Sequence, residues 1–181
     1  VTSSLLEGLS YGIGDAVLGL NPAVDTLEST SNILNLFNDV KTRLDIPTQI
    51  CVLSHITTQM KALESGVPMD LCFQSIAGSE ISLNSFGVTT DLLKEANGMM
   101  KELSTAEGPN YMYFETGQGS ELSSNGHNGA DQQTMEARCY GLARHYIPFL
   151  VNTVVGFIGP EYIYDKKELI CAALEDNFCG L

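Results

Sequence analysis

One feature constrains this chain more than any other: five times, a short apolar run is followed by a longer amphipathic one. The first run covers residues 11–20 ("YGIGDAVLGL"). Asp25 and Glu28 then stand in capping-box spacing before a helix over 26–44, which ends ahead of Pro47. The second run, 48–55, precedes a helix over 57–65 with Gly66 at its C-terminus. The third, 70–77, leads through a glycine- and serine-bearing connection to a helix over 89–103. The fourth, 111–115, pairs with 130–146, and the fifth, 148–157, with 166–178. Strands alternating with helices in this way require βαβ units, a parallel sheet and right-handed crossovers. Five units fit either a five-stranded open sheet or most of an eight-stranded barrel.

With 181 residues and 44% hydrophobic content the chain can bury the core of one domain. Nine basic residues against 22 acidic ones give a net charge of −13. That excludes nucleic acid and anionic membrane as partners, since phosphate binding needs clustered Lys and Arg. The acidity reads as a solvated surface. Five cysteines (Cys51, Cys72, Cys139, Cys171 and Cys179) cannot all pair, and Cys51 and Cys72 sit in apolar runs as small hydrophobes. No CxxC or Cys/His pairing has metal-ligand spacing, so no protein-held metal is expected. The usage is that of a reducing, cytoplasmic protein. No apolar stretch is long enough to cross a membrane, and no basic segment precedes an apolar one at the start. The chain begins at Val1, in mid-phrase, and reads as a fragment.

The ends of the apolar runs carry the chemistry. They reach Asn21-Pro22, His55 with Thr57 and Thr58, Gln74-Ser75, Glu115-Thr116 and Asn152-Thr153. In parallel sheets the carboxyl ends of strands face the site, so five polar ends point to a small polar mouth. The sharpest change is at 110–133, "NYMYFETGQGSELSSNGHNGADQQ", where a buried strand runs into Glu115 and then a glycine-rich loop. Glu115 either binds a cation or acts as a base, or it pairs with a neighbouring Arg or a helix N-terminus. The loop lacks GxxxxGK[ST] spacing; it either closes on a large polar ligand or merely connects. Ser123, His127 and Asp131 make a triad on paper, but no G-x-S-x-G accompanies them, and His55 and His127 read better as structural groups. Asn21 is equally an amide offered to a ligand and an ordinary Asn-Pro turn. Gly156, Gly159 and Pro160 allow close packing of their loop and are structural.

The strings "GLSYGIGDAVLGLNP", "QICVLSHITTQM", "LCFQSIAGSE", "YFETGQGSELS" and "LVNTVVGFIGPEYIYD" resemble the heavy (large) chain of ethanolamine ammonia-lyase, from about Gly8 to Gly180. The resemblance implies an α/β fold of parallel βα units forming about five of the eight strands of a TIM (β/α)8 barrel. Residues 1–181 would be a single partial barrel domain carrying strands two to six, its central to C-terminal part. It further implies an adenosylcobalamin-dependent conversion of ethanolamine to acetaldehyde and ammonia by a radical mechanism. The cobalt would be held by the corrin and not by protein side chains, since no D-x-H-x-x-G string is present.

By the same resemblance, Glu115 and Asn21 bind substrate, while Pro22, Gln74 and Ser123 contact the cofactor. His127 and Asn128 lie where related chains carry a His-His pair, and Asn128 departs from it. Further substrate residues of the family fall outside these 181 residues, so the segment alone is expected to be inactive. The implied partners are a light chain and further heavy chains, in a cytoplasmic enzyme housed in a bacterial microcompartment. The alternative is a truncated, non-catalytic assembly component of the same complex.

Overall fold

Parallel strands joined by helices organise the chain, in a computed structural model that describes residues 1–12, 16–106, 108, 110–117, 126–154 and 166–180. Five strands and seven α-helices occur among these residues. They divide into two compact units, Val1–Phe73 with Gly98–Tyr111, and Gln74–Asn97 with Met112–Leu181.

In the first unit, α1 (Thr2–Ser10) precedes β1 (Val17–Leu18), α2 (Leu27–Leu44), β2 (Gln49–Ile50) and α3 (Ile56–Glu64). β1 and β2 are parallel, with Val17 opposite Gln49 and Leu18 opposite Ile50. The pairing extends past both strands, since Leu53 N–H donates to the Leu20 carbonyl at 2.9 Å. The expected strand over 11–20 is thus much shorter. Tyr11 closes α1, and Gly12 turns the chain at φ 61, a left-handed value no strand can hold. The helix start also moves by one residue. Thr26, not Asp25, is the N-cap and accepts from Ser29 N–H at 3.2 Å. Asp25 instead accepts the His55 N–H at 2.8 Å. α2 buries Thr30, Leu34, Phe37 and Val40, one stripe at helical spacing. It ends at Asp45, which takes a left-handed cap conformation with φ 50.

Two buried polar side chains hold this unit. Gln59 of α3 is fully buried; its amide nitrogen donates to the carbonyls of Ser54 and Phe73, each at 2.6 Å, and its oxygen accepts from Phe73 N–H at 2.9 Å. Asp70 is also fully buried and accepts from Lys41 Nζ at 2.8 Å, Ile50 N–H at 2.9 Å and the Thr105 hydroxyl at 3.1 Å. A buried charge is tolerated only when its lone pairs are used in this way.

β3 (Cys72–Ser75) and α5 (Thr90–Leu103) run from one unit into the other. β3 begins the second sheet, whose order is β3, β4 (Met112–Gly117), β5 (Phe149–Val154). β4 and β5 are parallel, with Glu115 opposite Asn152 and Thr116 opposite Thr153. The serine-bearing connection after β3 contains a further helix, α4 (Glu80–Ser85). Ser79 caps it by accepting from Ser82 N–H at 3.2 Å, a hydroxyl competing successfully for a helix start. α6 (Gln132–Ala143), a 3-10 turn (Arg144–Tyr146) and α7 (Lys166–Gly180) complete the second unit.

Along β4, Met112, Phe114 and Thr116 are buried while Tyr113 and Glu115 are only partly covered, the period-two pattern of a strand with unlike faces. Phe114 packs its ring 5.6 Å from Tyr146 and 5.8 Å from Phe149. α6 comes close to the end of β3. A Cβ on Gly78 would lie 2.2 Å from the Met135 carbonyl oxygen, so only glycine fits there. No helix among the described residues is long and apolar enough to cross a membrane.

Candidate functional site

The carboxyl ends of β3, β4 and β5 bring three polar side chains to adjacent positions. Glu115, half-buried on β4, accepts from the Ser75 hydroxyl at 3.2 Å through Oε1. Its own carbonyl accepts from Ile76 N–H at 2.9 Å, which locks the two strand ends together. Asn152 stands opposite on β5 and is exposed. Gln74, 4% exposed, donates its amide to the Ser75 carbonyl at 3.0 Å. Ser75 therefore links Gln74 and Glu115, a role the sequence pattern did not assign to it.

No lysine, arginine or histidine among the described residues forms an ion pair with Glu115. The remaining residues of the chain contain none of these three types. Among the described residues, then, the Arg half of the structural reading of Glu115 is not seen. A partly desolvated carboxylate held by a neutral hydroxyl is suited to a small cation or to accepting hydrogen bonds from a polar ligand.

One residue further, Thr116 is fully buried and turned to the helix side. Its hydroxyl bonds Glu136 of α6 and lies 3.3 Å from the Asn152 carbonyl oxygen. Glu136 is 1% exposed. Helical spacing could have revealed it, because Glu136 falls in the same stripe as Met135, Cys139, Tyr140 and Ala143, all buried.

The other sequence candidates fall into distinct local roles. Asn21 follows the β1 pairing and is exposed, with Pro22 half-buried after it, in the first unit. Ser123, with the loop over 118–125, lies outside the described residues, as do Gly156, Gly159 and Pro160. His55 is the N-cap of α3, with Nδ1 accepting from Thr57 N–H at 3.3 Å and 2.8 Å from the Thr57 hydroxyl. Nδ1 of His127 accepts from Gly129 N–H at 3.1 Å in a turn where Asn128 has φ 50. Asp131 caps α6, accepting Thr134 N–H and the Thr134 hydroxyl, each at 2.8 Å. Those two bonds, the backbone one foremost, hold its carboxyl below the usual carboxylate range. His127 and Asp131 are thus a turn and a cap.

A cavity of about 970 Å3 in the second unit is lined by Gly78, Glu80, Thr90, Arg138 and His145, among others. Neither Ser75 nor Glu115 lines it. The strand ends remain the better candidate, because there a partly buried charge meets neighbouring amides and hydroxyls.

The family model described as "Ethanolamine ammonia lyase large subunit" matches residues 1–181. The chain belongs to the ethanolamine ammonia-lyase large-subunit family. The ethanolamine ammonia-lyase large subunits of Escherichia coli (strain K12) and Salmonella typhimurium (strain LT2) are each 54% identical to it over 180 residues. That match takes in 99% of this chain and 40% of each relative. The chain spans about two-fifths of the length of the curated relatives it matches. Within this large-subunit segment, Ser75, Glu115 and Asn152 form one contiguous polar edge on three neighbouring strands.

Proposed function

We propose that the chain is part of the large subunit of an adenosylcobalamin-dependent ethanolamine ammonia-lyase, which converts ethanolamine to acetaldehyde and ammonia. The observation that carries this reading is Glu115: a half-buried carboxylate at a strand end, held by Ser75, with no cation of the described residues paired to it. An ammonium group supplies the missing charge, and a charge-assisted bond is about twice as strong as a neutral one. The substrate hydroxyl takes the second carboxylate oxygen, and Asn21 is the other residue that the family resemblance assigns to substrate.

The βα units are read as strands two to six of a (β/α)8 barrel, with residues 1–181 one partial barrel domain. Polar strand ends at the carboxyl face are where such barrels carry their sites.

The side chains at these ends fit the cofactor. Gln74 and Asn152 are amides and Ser75 is a hydroxyl, the hydrogen-bonding complement of a corrin's peripheral amides. Pro22, Gln74 and Ser123 are the residues assigned to hold it. When bound, adenosylcobalamin supplies the radical chemistry through homolysis of its cobalt–carbon bond. The chain's own residues bind and orient: Glu115 fixes the ammonium and hydroxyl, Ser75 fixes one oxygen of Glu115, and the strand frame excludes other poses. Activity requires the rest of the large subunit and a small subunit, in an oligomer of large subunits. The cytoplasm or a bacterial microcompartment is the proposed location.

The test is Glu115→Gln in the complete large subunit, assembled with its small subunit and adenosylcobalamin. Turnover of ethanolamine should fall by roughly 10²–10³-fold, while the visible spectrum of bound cobalamin persists. Full turnover in that variant would remove Glu115 from the site.

A further inference from the structure

Glu136 sits where helical spacing calls for an apolar residue. Met135, Cys139, Tyr140 and Ala143 share its stripe on α6, and all are buried with it. A carboxylate is costly there unless it is used. It is used: the Thr116 hydroxyl bonds it, and that hydroxyl also lies 3.3 Å from the Asn152 carbonyl oxygen. Three elements, α6, β4 and β5, therefore converge on one hydroxyl, one residue beyond Glu115.

We propose that Glu136 is a positioning residue for the reaction assigned to Glu115, acting through Thr116; the inference rests on that reading of Glu115. Neighbouring strand residues project to opposite faces. Anchoring Thr116 on the helix side consequently fixes the backbone from which Glu115 projects on the other side. The Ser75 bond restrains one oxygen of the Glu115 side chain at 3.2 Å, and the Ile76 bond restrains its carbonyl at 2.9 Å. The Thr116 anchor adds a side-chain restraint from α6 to a strand end that β5 already pairs. Misplacement of a binding group by about 1 Å costs on the order of 10²-fold in rate.

The experiment uses the complete large subunit with its small subunit and adenosylcobalamin, at a temperature well below unfolding. Three variants are compared: Thr116→Val, which keeps shape and removes the hydroxyl; Glu136→Leu; and Glu136→Gln, whose amide oxygen still accepts from Thr116. Thr116→Val and Glu136→Leu should each lower kcat by roughly 10–100-fold with cobalamin binding intact. Glu136→Gln should stay within about threefold of the parent; Leu and Gln fill nearly the same space, so the contrast between the two variants reads the hydrogen bond and not the volume. The double variant Thr116→Val with Glu136→Leu should be no slower than the slower single one, since both break one connection.

Parent kcat in Thr116→Val, or losses that multiply in the double variant, would overturn the proposal. If Glu136→Leu does not assemble, Thr116→Val decides alone. Failure of the site reading looks different: Glu115→Gln would then retain turnover. An inactive Glu115→Gln beside a fully active Thr116→Val would sink the positioning role only.

Discussion

The hydroxyl of Ser75 reaches Oε1 of Glu115 at 3.2 Å, tying the end of β3 to the end of β4 side chain to side chain. Both residues are partly exposed, so the bond contributes more to aiming the carboxylate than to stability.

On the function proposed for Glu115, Ser75→Ala in the complete large subunit, assembled with its small subunit and cofactor, should therefore reduce kcat/KM for ethanolamine by about tenfold, the low end for a hydrogen bond to a charged group. Its unfolding free energy should match the parent within about 0.5 kcal/mol, as for a substitution outside the core. Ser75→Thr, which keeps the donor, should recover most of the loss. Steady-state kinetics alongside thermal melts separate the two effects; equal kcat/KM in Ser75→Ala would show that the bond aims nothing.

Asp70 carries the opposite expectation, of stability without any direct part in the site. Its carboxylate takes bonds from Lys41, Ile50 and Thr105 while fully buried, and the Lys41 side chain is itself 13% exposed. Lys41→Met leaves that charge buried with a partner removed, and should destabilise by about 3–5 kcal/mol. The double variant Lys41→Met with Asp70→Asn should regain part of this. Urea denaturation of each purified variant reads the midpoint. A Lys41→Met loss under about 1 kcal/mol would mean that water or another group takes over the charge.

Cys51 and Cys72 are pushed up to about 12, burial being the main cause, with Asp70 adding to the shift at Cys51. The neutral thiol is thus favoured in the folded state. The sign follows directly: this contribution to stability is fully present below the unfolded thiol value of about 8.5, and is lost as pH rises from there towards 12. The denaturation midpoint should fall as pH rises above about 8.5, and less steeply in Cys51→Ala. At pH 8 iodoacetamide should label the exposed Cys171 ahead of Cys51 and Cys72, which should react only on unfolding. Rapid labelling of Cys51 in the folded protein would contradict its burial.

The alternation of apolar and amphipathic runs was enough to place the five strands found among the described residues within the expected runs, though not their lengths, because period is a local property of the chain. Local chemistry was less reliable at the boundaries. Asp25 and Thr26 both offer an oxygen for the start of α2, and only the bond that Asp25 accepts from the His55 N–H, 30 residues away, decides which one caps it. α4 was invisible for a related reason. A six-residue helix begun by Ser79 carries no periodic stripe to read.

The candidate site divides along the same line. That Glu115 ends a buried strand is legible in "YMYFE", since four apolar residues followed by an acid need no partner to be noticed. That Ser75 holds it, and that Glu136 holds its neighbour, are not. Those contacts join residues 40 and 20 positions apart, and the parallel sheet alone sets which strand ends lie side by side. Sequence by itself determined the period, the polar strand ends and the family strings. Tertiary structure decided which polar ends share an edge and which acid is buried, because register and burial depend on partners supplied by distant segments.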